Sequence, residues 1–449
     1  MDLSRYNNKK ILILGLGREG LATLRFFLEN CHKTELGVAD KAKTDNFNHE
    51  IKELIVHNPN IKIFSGENYL SGINDYDIVI KTPGIPIHIP EIEQAYQKGK
   101  VSSQTEIFFE QCPGTIIGIT GTKGKSTTSS IIYDIFKAAG KKVSLVGNIG
   151  TPMISFLKDA AAESFFVCEL SAHQLYGLRK SPHVSVLLNI YPEHLDYYKD
   201  YNEYILAKAN IAIHQLESDC LIYNSSNREA AGVAQKAISK KIAFNEYNWK
   251  YSGQTALIGK FNLDNAKVGA IIGREFGITD DIINSAIEKF KPLDNRLEFF
   301  GTYDGIDCYN DSLSTIQESA VAAIEGLGGR VQTLIAGGYE RNQPFEKLAD
   351  AILSSNISTL LLLPTTGQRI WSEVQNAAGS KGRARLARLT PFFVKSMEEA
   401  VGLALKNTKR GGICLLSAAS ASFGGFQDYA DRGRQFGEWL VKLAEKKND

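Results

Sequence analysis

The sequence predicts an α/β protein made of three consecutive units, each organised around a parallel sheet. Three observations point there. Apolar strand patterns and amphipathic helix patterns alternate along the 449 residues. Two glycine-rich turns, about a hundred residues apart, each follow a short apolar run and lead into a helical pattern. Turn signals at Gln111-Cys112-Pro113-Gly114 and at Lys291-Pro292-Leu293-Asp294-Asn295 interrupt the alternation, and it restarts after each. At roughly 100–200 residues per domain, three is also the natural count for this length.

In chain order, Lys10–Leu14 reads as a buried strand, residues 15–20 as a glycine turn and 21–28 as the start of a helix. A second strand over 35–39 ends at Asp40, and a third over 77–81 runs into the turn Thr82-Pro83-Gly84. After the break near residue 112 come a strand at 115–119, a second glycine loop, a helix at 126–139, and strands at 165–170 and 184–188. After the break near residue 297, three short apolar runs at 332–336, Thr359–Leu363 and 413–417 read as strands with helical patterns between them.

Composition narrows the function classes. With 51 basic and 50 acidic residues the net charge is +1, so no nucleic-acid footprint is expected. Six scattered cysteines without metal-type spacing suit a reducing cytosol, and a cytoplasmic protein is expected. The lysines before Ile11 resemble the start of a signal peptide, but the apolar run breaks at Gly15-Leu16-Gly17. No stretch reaches the 18 or so apolar residues of a membrane helix, so no membrane partner is expected.

The chemistry is most legible at Gly118-Ile119-Thr120-Gly121-Thr122-Lys123-Gly124-Lys125-Ser126, between a strand and a helix. Glycines let backbone N–H groups approach phosphate oxygens, and the helix N-terminus adds positive dipole. Lys125 offers a charge for the terminal phosphates, and the Ser126 hydroxyl a ligand for Mg²⁺. The usual phosphate-loop spacing would place glycine at Ile119, so the loop departs from the common form. A plain alternative is a glycine-rich turn with a solvated lysine. Glu169, closing the run Phe165-Phe166-Val167-Cys168, stands where open α/β sheets bind ligands. It suits a Mg²⁺ ligand or a strand-end ion pair. At the N-terminus, Gly15-Leu16-Gly17-Arg18-Glu19-Gly20 with Asp40 twenty residues on is literally a dinucleotide fingerprint. It suits a nicotinamide dehydrogenase or any ligand carrying a pyrophosphate.

Thr120-Gly121-Thr122-Lys123-Gly124-Lys125-Ser126-Thr127 resembles the ATP loop of the Mur ligase family, T-G-T-x-G-K-[ST], and the resemblance continues in order along the chain. Glu169-Leu170-Ser171 is similar to the family's Mg²⁺-ligand motif. Glu193-His194-Leu195-Asp196 is similar to its [DE]-H-[LM]-D, whose histidine supports a second Mg²⁺. Lys208, fourteen residues past His194, matches a lysine that the family carbamylates with CO₂; without that context it would read as a surface lysine. Gly259-Lys260-Phe261-Asn262-Leu263-Asp264-Asn265-Ala266 resembles G-x-[HF]-N-x-x-N-A, whose asparagines approach adenine, although either could cap the following helix. Arg296 matches the arginine before the third domain, and Asp311 the acid that reaches the ribose.

The resemblance implies a Rossmann-like UDP-substrate domain over 1–112, a central P-loop ATPase-type parallel sheet over 113–297, and a Rossmann-like glutamate-binding domain over 298–449. In the glutamate-adding branch the first glycine turn holds the UDP part of the substrate. That places Gly15, Leu16, Gly17, Arg18, Asp40, Lys41, Thr82, Pro83, Gly84 and Asn148 on that substrate. It implies ATP, two Mg²⁺ ions held by Ser126, Glu169, His194 and carbamylated Lys208, and D-glutamate as the incoming amine. UDP-N-acetylmuramoyl-L-alanine would be the acceptor and an acyl phosphate the intermediate, with closure of the C-terminal unit excluding water. A monomer is expected. The glutamate pocket is expected around Thr315, Arg341, Ser422, Phe423 and Tyr429. Two departures stand there. Leu313 occupies the lysine position of N-D-S-K-[AG]-T-N, and Arg341 replaces the lysine of G-G-x-x-K, which leaves L-glutamate as an alternative. The rivals are a dehydrogenase, a nucleotide-sensing scaffold, and folylpolyglutamate synthase, whose chain begins with the ATPase unit.

Overall fold

The computed structural model describes residues 1–249, 251, 253–379 and 383–445. Three sheets are present among the described residues. The first contains β1 (Lys10–Leu14), β2 (Glu35–Asp40), β3 (Lys62–Ser65), β4 (Ile78–Lys81) and β5 (Val101–Ser102) in the order 3-2-1-4-5. The second contains β6 (Thr115–Thr120), β7 (Val143–Gly147), β8 (Phe165–Glu169), β9 (Val184–Leu187), β10 (Cys220–Tyr223) and β11 (Lys240–Ala243), in the order 11-10-9-6-8-7. Every pairing in these two sheets is parallel. The third contains β12 (Glu298–Tyr303), β13 (Ile306–Asn310), β14 (Val331–Gly337), β15 (Thr359–Leu363), β16 (Thr390–Phe393) and β17 (Ile413–Leu416), in the order 12-13-17-14-15-16. There β12 and β13 form an antiparallel hairpin, and the other pairings are parallel. Its turn is Asp304-Gly305, with φ of +52° and +78°, the left-handed pair that a two-residue hairpin loop requires.

The chain divides into two compact units. One spans 1–252 with 264–287 and holds the first two sheets; the other spans 253–263 with 288–449 and holds the third. In the first unit one apolar core runs through both sheets, and Phe108 meets Phe166 edge-on at 5.2 Å. Central strands such as Ile11-Leu12-Ile13-Leu14 are buried on both faces, as expected for strands with helices on each side. In the second unit, helices Gln317–Leu327, Glu346–Ser354 and Gly367–Ala378 cover one face of the sheet, and Met397–Asn407 with Tyr429–Glu445 the other.

The strands expected from apolar runs are present to within one or two residues. Eight others were not legible, and six of these are the sheet edges: β3, β5, β7, β11, β12 and β16. An edge strand packs little of its surface, so polar or half-exposed residues replace the apolar run: Lys62-Ile63-Phe64-Ser65 contains no buried residue. The expectation that Asn262 or Asn265 caps a helix is corrected. Both lie inside helix Lys260–Glu275, which begins before them.

Candidate active site

The phosphate-loop segment joins β6 to helix Lys125–Ala138. Gly121 and Gly124 have φ of +155° and +90°, a backbone path open to glycine. A Cβ on Gly124 would lie 2.8 Å from Asn265 Oδ1, so the loop also has no room for a side chain there. Asn265 Oδ1 accepts from Thr128 Oγ1 at 3.1 Å, which binds helix Lys260–Glu275 to the start of the loop helix. Asn189, two residues past the end of β9, grips the loop, accepting from Lys123 N at 3.0 Å and donating to Lys123 O at 3.2 Å. The Lys125 ammonium folds back and donates to Gly121 O and Thr122 O at 2.9 and 3.0 Å, so its charge stands over the loop. Ser126 and Thr127 follow Lys125 in the first turn of the helix, and Thr127 is buried.

Glu169, at the end of β8, is buried. One carboxylate oxygen accepts from Asn148 Nδ2 at 2.8 Å; the other is buried with no hydrogen-bond partner. The partner is therefore an amide and not the cation of a strand-end ion pair, and one acceptor is left for a bound group. Lys208, on helix Tyr201–Ala209, is wholly buried, which removes the surface-lysine alternative. Its Nζ donates to Gly121 O at 3.1 Å and lies 4.8 Å from the centre of the Tyr204 ring. Burial, with Lys125 adding repulsion, pushes its pKa well below that of an ordinary lysine. His194 sits at φ +58°, a strained conformation for a non-glycine residue. Its ring is 4.9 Å from that of His173. Burial disfavours ionisation of Glu193, but Lys123, His194 and Lys125 outweigh it and bring the carboxyl to about 2. Glu193 then bonds Lys123 Nζ at 3.1 Å. Among the described residues no three His, Cys, Asp or Glu side chains cluster as a preformed metal cage. Glu169, His194, the Ser126 hydroxyl and an anionic form of Lys208 suit Mg²⁺ that shares its coordination with phosphate and water.

In the first sheet the glycine turn follows β1, and Gly15 has φ +92°. Asp40 organises it: its carboxylate accepts from Leu16 N at 2.6 Å and Ala42 N at 2.7 Å. Lys41 beside it is exposed. Thr82 packs against the turn, donating from N and Oγ1 to Leu14 O at 2.9 and 3.1 Å, with Pro83 and Gly84 following. Arg18 reaches the second sheet, donating to Asn148 O at 3.2 Å and Gly150 O at 3.0 Å. In the first unit the first glycine turn is thus bonded through Arg18 to Asn148, and Asn148 to Glu169.

In the second unit Asp311 is buried. It accepts from Leu297 N at 3.3 Å and Ser417 Oγ at 2.7 Å. Burial raises its pKa to about 6 against the pull of Ser314, Ser417 and Arg296. Asn262 Nδ2 donates to Ile258 O at 2.9 Å. The residues expected around glutamate converge. Ser312 Oγ donates to Tyr429 O at 2.8 Å, Gln343 Nε2 to Thr315 O at 3.1 Å, and Tyr339 N to Ala421 O, beside Ser422, at 2.8 Å. The Arg341 guanidinium lies 5.3 Å from the centre of the exposed Phe423 ring. Leu313 is half-buried in this cluster.

Four residues here escaped the sequence reading. Arg432 is fully buried and donates to Ser312 Oγ, Ser312 O, Ser420 O and Ala421 O. Its signal was the spacing 432, 436, 440, an arginine on the face that carries Phe436 and Leu440. Lys81 ends the apolar β4 and donates to Thr82 O at 3.1 Å and Ile85 O at 2.8 Å; burial lowers its pKa to about 8. The Tyr197 hydroxyl shares its proton between Pro83 O and Ile85 O, at 3.0 and 2.9 Å. His173, whose pKa falls to about 3 through burial and then through the neighbouring His194 and Lys208, had no sequence signal beyond its place after Glu169-Leu170-Ser171.

The family model described as "Mur ligase middle domain" matches residues 119–255, and that described as "Mur ligase MurD-like, N-terminal domain" matches 9–102, across the first glycine turn. The chain belongs to the Mur ligase family, whose members are ATP-dependent amide-bond ligases. It is 30% identical to the UDP-N-acetylmuramoylalanine–D-glutamate ligase of Koribacter versatilis over 98% of each chain. It is 33% identical to the enzyme of that name from Clostridium kluyveri over 96% of each. In fold it is similar to the UDP-N-acetylmuramate–alanine ligase of Thermotoga maritima, with a TM-score of 0.58 at 15% identity, covering 97% of this chain and all of that one.

Proposed function

We propose that the protein joins D-glutamate to the alanine carboxylate of UDP-N-acetylmuramoyl-L-alanine, converting ATP to ADP and phosphate, in peptidoglycan precursor synthesis. The observation that carries the mechanism is the set at the end of the second sheet: a phosphate loop under Lys125, a buried Glu169 oxygen with no partner, and a fully buried Lys208 whose pKa burial lowers. The near-full-length relatives named for this reaction support the substrates.

The alanine carboxylate attacks the γ-phosphorus, ADP leaves, and an acyl phosphate forms. The glutamate amine then attacks the acyl carbon, loses a proton and expels phosphate. Lys125 and the loop N–H groups stabilise the charge on the transferred phosphoryl group. As the free amine, Lys208 takes up CO₂ and releases a proton, leaving an anionic carbamate. Ser126, Glu169, His194 and that carbamate would hold two Mg²⁺, whose charge offsets that of the phosphates. Asn262, Asn265, Arg296 and Asp311 are assigned to the adenosine of ATP. Gly15, Leu16, Gly17, Arg18, Asp40, Lys41, Thr82, Pro83, Gly84 and Asn148 are assigned to the UDP substrate. Thr315, Arg341, Ser422, Phe423 and Tyr429 are assigned to glutamate. The domain assignment is 1–112 for the UDP substrate, 113–297 for ATP and 298–449 for glutamate. No helix among the described residues is long and apolar enough to cross a membrane. A cytoplasmic monomer is part of the proposal.

The test is ADP release with UDP-N-acetylmuramoyl-L-alanine and a panel of amino acids that includes both enantiomers of glutamate. D-glutamate alone should support turnover. Equal or faster turnover with L-glutamate, the outcome to which Leu313 draws attention, would overturn the choice of enantiomer; no ADP release with any amino acid would overturn the reaction.

A further inference from the structure

Arg341 sits at the tip of a tight loop, and one guanidinium holds both of its flanks. Arg369, in the first turn of helix Gly367–Ala378, donates from Nη1 to Glu340 Oε1 at 2.6 Å and from Nη2 to Gln343 O. Its guanidinium lies 4.7 Å from the centre of the Phe345 ring, which is buried and rigidly placed. The same Glu340 oxygen accepts from Asn342 N at 2.6 Å, and Asn342 takes φ +54° to close the turn. Gln343 carries the tie onward, donating to Thr315 O and Ala419 O. A cation in the first turn of a helix opposes the helix dipole, so Arg369 is not placed there for the helix's own benefit. An ion pair this exposed contributes little stability, but a two-armed guanidinium fork over a ring holds geometry.

We propose that Arg369 is a positioning residue for glutamate: it locks the 339–343 loop so that the Arg341 guanidinium is presented at Phe423. This rests on the reading of Arg341 as the receptor of a glutamate carboxylate. It accounts for how one arginine serves where Leu313 leaves a lysine position empty of charge. A flexible side chain standing alone must be pre-ordered to bind well, and fixing its loop removes part of the ordering cost.

The experiment measures KM for D-glutamate, ATP and UDP-N-acetylmuramoyl-L-alanine in the full-length enzyme and in Arg369→Gln, Glu340→Gln, Arg341→Ala and the double variant Arg341→Ala/Arg369→Gln. Arg369→Gln and Glu340→Gln should each raise the glutamate KM by about ten-fold and leave the other two KM values within about two-fold, as expected for lost pre-ordering at one subsite. On the Arg341→Ala background, Arg369→Gln should add nothing. Glu340→Gln is isosteric in an exposed loop and keeps the test open if Arg369→Gln folds poorly. An unchanged glutamate KM in both single variants overturns the proposal while the Arg341 assignment stands. A full additional ten-fold in the double variant overturns it by making Arg369 independent of Arg341. A normal glutamate KM in Arg341→Ala removes the site reading itself, and Arg369 with it.

Discussion

Two lysines beside the second glycine loop are proposed to have opposite tasks, and burial separates them. Lys125 is half-buried, and its Nζ donates to Gly121 O and Thr122 O. Lys208 is enclosed by Gly121 O and the Tyr204 ring, where a charge is costly. Lys125→Ala should lower kcat by roughly 10²–10³-fold with the thermal midpoint little changed, because it removes a charge from a loop surface; near-normal ADP release by a folded variant would remove the loop from the mechanism. Lys208→Ala should lose activity by about 10²-fold, the scale of a lost group in a metal site. It should regain part of that activity with millimolar formate or acetate, which restore an anion in the space left behind. Wild-type activity of Lys208→Ala in CO₂-depleted buffer would dispose of the carbamate. Since burial lowers the pKa of the amine, more of it is in the free form that carbamylation needs than for an exposed lysine at the same pH.

At the scale of elements, the phosphate loop works because neighbouring elements leave no slack. Gly124 is confined by Asn265 on one side and Leu188 on the other, and Asn189 clamps the backbone of Lys123. Gly124→Ala should cost about 1–3 kcal/mol, since it combines a left-handed φ with a contact that must shift, and it should raise the KM for ATP. Gly140 is the control, with φ +70° but open space around it. Gly140→Ala should cost about 1 kcal/mol through its backbone alone and leave the ATP KM unchanged. Differential scanning fluorimetry with steady-state kinetics reads both; equal ATP KM values in the two variants would contradict the tight-loop argument.

Across the whole molecule, stability should carry the signature of a carboxylate buried in the second unit. Asp311 rises from 3.8 in the unfolded chain to about 6 in the fold. Between those values the folded state binds more protons, so stability falls as pH rises through the window, by on the order of 3 kcal/mol at most. Nucleotide-free wild type should therefore gain thermal midpoint on going from pH 7 to pH 4.5, relative to Asp311→Asn, which has no proton to take up. Parallel midpoint-against-pH curves for the two proteins would show that Asp311 titrates normally. In the first unit, the contacts of Arg18 with the 148–150 loop and of Tyr197 with the Thr82-Pro83-Gly84 turn hold the two parallel sheets at the site as one body.

The sequence by itself determined the α/β class, the interior strands other than β10 and β13, and both glycine loops, because those depend on local properties: an apolar run, a left-handed turn, a helix start. It also marked Lys125, Glu169, His194 and Lys208, through motif spacing that holds before the chain is folded. The six edge strands were illegible, since an edge is defined by its neighbours and not by its own residues. Tertiary structure alone decided that Lys208 is an interior and not a surface lysine, with its pKa lowered by burial beside Gly121 O and the Tyr204 ring. It alone turned Asn265 from a helix cap into the wall of the phosphate loop, and brought Arg369, Arg341 and Thr315 together from separate connections. Those outcomes rest on contacts between residues distant in sequence, where burial and hydrogen bonding, not spacing along the chain, set the chemistry.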